Sequence, residues 1–154
     1  MDKESIIKEK RNLVHWVLSL KNISNDLWLE PFREGSWAIA DVISHFISWD
    51  KFIINNRVSY LLRDECFPNV TVDVEFINKE ASKYARSGIL KDDLINEFIS
   101  VREELLSLLD IIPKEKFYQA LLGRGNTTLS EYFEGLIEHD LKHREQIDLH
   151  ISNY

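Results

Sequence analysis

The stretch from Thr128 to Ile151, TLSEYFEGLIEHDLKHREQIDLHI, decides the fold. Thr128 followed by Glu131 is a capping box: the hydroxyl closes the first turn, and the glutamate three residues on answers it. No proline interrupts the run. At about 100° per residue, Leu129, Leu136 and Ile147 fall on one face, so the segment reads as a helix from Leu129 to about Ile151. A long helix with one apolar stripe needs other helices to cover it.

Upstream, the same periodicity returns. Ile6, Lys10, Leu13, Val17 and Leu20 keep a three-four spacing, which predicts a first helix from about Lys3 to Lys21. The segment NISNDLWLEPFREGS then reads as a loop, with Ser36 as the N-cap of a second helix from Trp37 to about Leu62. That helix is apolar on two faces. Val42, His45, Trp49, Phe52 and Ile53 lie on one; Ile39, Ile43, Ile47, Ile54 and Leu61 lie on the other. In a short chain the second face calls for burial by another subunit, so a homodimer is expected. RDECFPNVTVD reads as a connection, and Val74, Ile77, Ala81 and Tyr84 predict a short helix before Gly88. A third long helix spans about Lys91 to Asp110, with Leu94, Ile95, Phe98, Val101, Leu105 and Leu109 inward and Pro113 beyond its end. LLGRGNTT is a loop. The expected architecture is all-α: a four-helix bundle with a long crossover between the second and third long helices.

The chain has 154 residues, enough for one domain, 1–154, with a core of its own. Five glycines and three prolines are few, which favours helices over a turn-rich sheet. The apolar stretches are broken by charge before they reach the roughly 20 residues a bilayer requires. The start, MDKESIIKEKRN, lacks the apolar run of a signal peptide, so a cytoplasmic protein with no membrane partner is expected. A net charge of -7 repels phosphate backbones and argues against nucleic acid. The single cysteine, Cys66, excludes an intrachain disulfide and any Cys-based metal cluster.

The chemistry therefore rests on histidine and carboxylate. His139 and His143 stand four apart, one turn along the same helix face, where two imidazoles can grip one ion. Their face is the inward one, with His143 near its centre and His139 at its edge. Asp140 also falls inward. A buried carboxylate is costly unless paired, and orienting a ligating imidazole would give it a partner. An HxxxH spacing is equally compatible with a surface pair or a satisfied core pair. A third ligand should come from a facing helix, and His45, between Val42 and Trp49, is the best placed. The alternative for His45 is a core histidine bonded to a backbone carbonyl. His15 lies outward, and His150 is a turn too far along. No GxSxG, HExxH or phosphate-cradling loop is present.

GSWAIADVISHFISWD, the crossover EFINKEA and the closing HDLKHREQI together resemble the DinB/YfiT-like superfamily of four-helix bundles, over nearly the whole chain. The resemblance implies a metal triad of one histidine on the second helix and the HxxxH pair on the last, here His45, His139 and His143. Three neutral ligands would leave a coordination position open. It implies one divalent metal ion (Zn, Ni or Fe), a small-molecule substrate and, as in characterised members, a low-molecular-weight thiol as co-substrate. Two functions follow. One is a metal-dependent enzyme, an S-transferase or hydrolase, with Asp140 orienting a ligand or acting as base and Trp37, Trp49, Phe52 and Tyr132 lining the substrate site. The other is a non-catalytic bundle that binds a small molecule or a partner protein.

Overall fold

The computed structural model describes residues 1–69 and 71–154. Helix α1, Lys3–Ser19, starts where the Asp2 carboxylate accepts the Ser5 N–H at 2.8 Å, and it ends in a 3₁₀ turn, Leu20–Asn22. The segment expected as a loop contains a short helix, α2, Asn25–Leu29. Ser24 caps it by accepting the Leu27 N–H at 3.1 Å, and it buries Leu27 and Trp28. Ser24 with Asp26 in the first turn was the signal for it.

Helix α3, Ile39–Ile53, begins later than expected, and its N-cap is Ala38. Ser36 instead closes the preceding turn: its hydroxyl accepts the Arg33 N–H and donates to the Arg33 carbonyl, both at 2.9 Å. The Asp41 carboxylate, fully buried, accepts the Ala38 N–H at 2.8 Å and supplies the cap that an alanine cannot. The helix also does not run straight to Leu62. A π-turn, Ile54–Val58, separates α3 from the last short piece, α4, Ser59–Leu62. Arg57 in that turn is buried, donates to the Tyr132 hydroxyl at 3.2 Å, and lies over the rings of Phe52 and Phe67.

The connection at 63–73, apart from Val70, which lies outside the described residues, has no regular structure. The crossover helix α5, Val74–Ala85, is followed by α6, Lys91–Ile111, and α7, Leu129–Ser152. Thr128 caps α7 as its sequence predicted, accepting the Glu131 N–H at 3.1 Å. The chain is all-α, with four long helices and a long crossover. Among the described residues no helix is long and apolar enough to cross a membrane.

The second apolar face of α3 needs no other subunit. Ile39, Ile43 and Ile47 are buried within the chain, because α5 and α6 pack on that side. Arg86 and Ser82 on and beside α5 both reach the Asp41 carboxylate, and Ser44 donates to the Ala81 carbonyl at 2.6 Å. The crossover helix is thus stapled onto α3, and this face no longer argues for a homodimer.

Close backbone approaches join α7 to α1, α1 to α6, and α6 to α3. The fourth seam, α3 against α7, is wider and is bridged by side chains. The histidines lie in it.

Candidate metal centre

His45 comes from the middle of α3; His139 and His143 come from successive turns of α7. Their ring centroids are 5.2 Å (His45–His139), 5.0 Å (His45–His143) and 4.6 Å (His139–His143) apart. One nitrogen of each lies within 4.8 Å of the other two. The structure therefore brings together all three histidines singled out from sequence. They form a gradient: His45 is buried, His143 half-buried, and His139 exposed at the rim.

The protonation pattern of His45 is set by its neighbours. Its Nδ1 lies 2.9 Å from the Asn78 side-chain oxygen, and the Trp49 Nε1–H donates to that same oxygen at 3.0 Å. Its Nε2 is buried and has no hydrogen-bond partner. A buried polar atom without a partner is rare and requires a reason. Here a ligand would supply it, because an imidazole nitrogen with a free lone pair is what a transition-metal ion needs. The backbone-bonded alternative for His45 does not occur.

Burial pushes His45 down to about 4, with the neighbouring His143 and His139 adding to the shift and the Asn78 hydrogen bond partly offsetting it. Burial also lowers His143, reinforced by His139, and lowers His139. All three rings are held toward the neutral form in which imidazole ligates. The residues present therefore fit a divalent ion.

Asp140 does not serve these rings. Among the described residues no hydrogen bond joins it to any of the three histidines. Its Oδ2 accepts from Lys10 Nζ at 2.9 Å and from Arg102 at 3.2 Å. Arg102 also grips Asp50 with two N–H groups, at 2.6 and 3.1 Å. This quartet is almost wholly buried and joins α1, α3, α6 and α7. Burial would raise the Asp140 carboxyl, but Lys10 and Arg102 outweigh it and hold the group below its ordinary value. Burial and the Arg102 charge lower Lys10, against the pull of the two carboxylates. The buried carboxylate thus has its reason in two cations, not in a metal ligand.

A cavity of about 380 Å³ opens beside the triad. His45, Phe46, Trp49, Ile53, Leu136 and His139 line it, with Lys10 and Asp140 at its polar side. Of the aromatic lining expected from sequence, Trp49 takes that place and Trp37 packs against His45 at 5.3 Å between centroids. Phe52 and Tyr132 do not line the cavity: they surround Arg57. Asn78, Lys10, Asp50 and Arg102 were not singled out as site residues. For the last three the signal was available, since each is a charge set in an otherwise apolar stripe.

A family model described as the DinB superfamily matches residues 8–147. The chain belongs to the DinB superfamily. Neither the curated proteins nor the solved structures give a significant match. In this DinB chain the matched region takes in all of α3 and α6, most of α1 and α7, and the complete triad.

Proposed function

We propose that this protein is a metal-dependent enzyme. His45, His139 and His143 hold one divalent ion, Zn, Ni or Fe, and the cavity beside them receives a small, largely apolar substrate. The observation that carries this reading is the buried, unpartnered Nε2 of His45, in a cluster of three imidazoles beside an open cavity. A divalent ion in such a site lowers the pKa of a water or low-molecular-weight thiol toward neutrality.

The chain's own residues favour an anionic nucleophile there. None of the three ligands carries charge, and the two nearby carboxylates, Asp50 and Asp140, are already neutralised by Arg102 and Lys10. An ion held there would keep its double positive charge uncompensated by the protein, which would favour an anionic nucleophile. Phe46, Trp49, Ile53 and Leu136 give the cavity an apolar wall, which would strengthen that interaction. Asp140, with a lowered pKa and two cations on it, is a poor base. Its role is to hold α7 against α1 and α6 next to His139. An S-transferase or a hydrolase fits this arrangement.

The test is metal content and reactivity of the purified full chain. About one ion per chain, lost in His45→Ala and His139→Ala, is the expected result. Metal-loaded protein should then accelerate alkylation of a small thiol, or hydrolysis of an apolar ester, near neutral pH. Full occupancy in both variants would sink the assignment. Metal uptake with neither activity would favour the non-catalytic bundle.

A further inference from the structure

The crossover helix does more than connect two halves of the bundle. It carries Asn78 to within hydrogen-bond distance of both His45 and Trp49. An amide side chain has a donor end and an acceptor end. An indole N–H can only donate. Trp49 Nε1 therefore fixes the orientation of Asn78, because only the oxygen end can meet it at 3.0 Å. The same oxygen lies 2.9 Å from His45 Nδ1, so that nitrogen must carry the proton. The proton then cannot reside on Nε2 in the neutral ring. A histidine unrestrained in water favours the opposite tautomer, so this form has to be imposed.

We infer that Trp49 and Asn78 form a two-step positioning relay that presents His45 Nε2 as a bare lone pair to the triad. Trp49 orients Asn78; Asn78 sets the His45 tautomer. Asn78 borders the cavity, and its side-chain oxygen acts on the triad through His45. The inference rests on the metal reading for its consequence, but the tautomer itself is a property of the metal-free chain.

Two measurements test it. In metal-free protein at neutral pH, ¹⁵N NMR of His45 should show Nδ1 protonated and Nε2 bare. Zinc affinity should fall about 10- to 100-fold in Asn78→Leu, the range typical when the partner of a ligating imidazole is removed. Asn78→Asp should retain affinity, because a carboxylate accepts from both partners whichever way it turns. Trp49→Phe should weaken zinc binding in the parent chain, since Asn78 is then free to flip and offer its NH₂. In the Asn78→Asp background the same Trp49→Phe change should have no effect on affinity, because there is no donor end to flip. A merely structural role for Trp49 would make it cost the same in both backgrounds, and that result overturns the relay. So does an Nε2-protonated His45 in the parent, or undiminished zinc affinity in Asn78→Leu. Failure of the parent to bind zinc while His45 still shows a bare Nε2 overturns the metal reading and leaves the relay standing.

Discussion

Lys10 and Asp140, 130 positions apart in sequence, meet at 2.9 Å in the interior of the bundle. Their contact joins the first helix to the last directly beside the histidine pair. Arg102 shares the same carboxylate oxygen and extends the link to Asp50 on α3. Two cations and two anions are thus buried together, and each is costly without the others.

The first prediction concerns that quartet. Arg102→Met leaves Asp50 without a partner and Asp140 with one, and should destabilise the chain by about 3–5 kcal/mol. Lys10→Met leaves Asp140 still held by Arg102 and should cost less. Urea midpoints at pH 7.5 measure both; an Arg102→Met protein as stable as the parent contradicts the arrangement.

A second prediction follows from His45. Its folded pKa is about 4, below the roughly 6.5 of an unfolded chain. The unfolded state therefore takes up the proton first. Stability is at its full value above pH 6.5 and is lost as pH falls from there toward 4. The loss is on the order of 3 kcal/mol for a shift of this size. His139 and His143 are lowered as well and act in the same direction. Unfolding of metal-free protein at pH 7.5 and pH 5 should show it, and a His45 ring that titrates near 6.5 by NMR rules it out.

A third concerns Gly135, in the middle of α7 at the cavity wall. A Cβ added there meets nothing within 4 Å. Gly135→Ala should stabilise the helix by roughly 0.5–1 kcal/mol, the ordinary cost of glycine inside a helix. The same methyl narrows the cavity, so melting temperature should rise while binding of a bulky apolar ligand weakens. A lower melting temperature would show that the position is tighter than it looks.

The fourth is that an ion held by the triad would not be a structural staple. Three of the bundle's four seams are closed by backbone packing, and the ionic quartet crosses the middle. Chelation should leave the far-UV circular dichroism unchanged and lower the melting temperature only by the mass-action contribution of the lost ligand. Collapse of helicity on chelation, as in a zinc finger, would contradict this.

Much of the bundle was legible in sequence because periodicity reports burial directly. Leu129, Leu136 and Ile147 placed α7, and the gap between α3 and α6 announced a crossover. The boundaries of α3 were less legible. Asp41 substitutes for the missing cap at Ala38, and nothing in INNRV marks a π-turn. The triad was legible from the spacing of His139 and His143 and from His45 in an aromatic run. Asn78 was not, because a polar residue on an amphipathic helix looks the same whether it faces water or a ligand. Arg102 left a trace: it sits between Phe98 and Leu105 in the inward stripe, where a lone charge needs a partner. The sequence places Asp140 inward without naming its partners, because only the folded chain brings Lys10 and Arg102 to it.

The wide seam between α3 and α7 leaves one side of the bundle with slack that the other three seams lack. Of the apolar side chains at that cavity, Val74 is exposed and Leu136 only partly buried, so exchanging them disturbs less of the packing than exchanging Ile53, which belongs to the core. On the proposed reading, substitutions along that one seam would change what the cavity accepts, while the other three seams would keep the bundle packed.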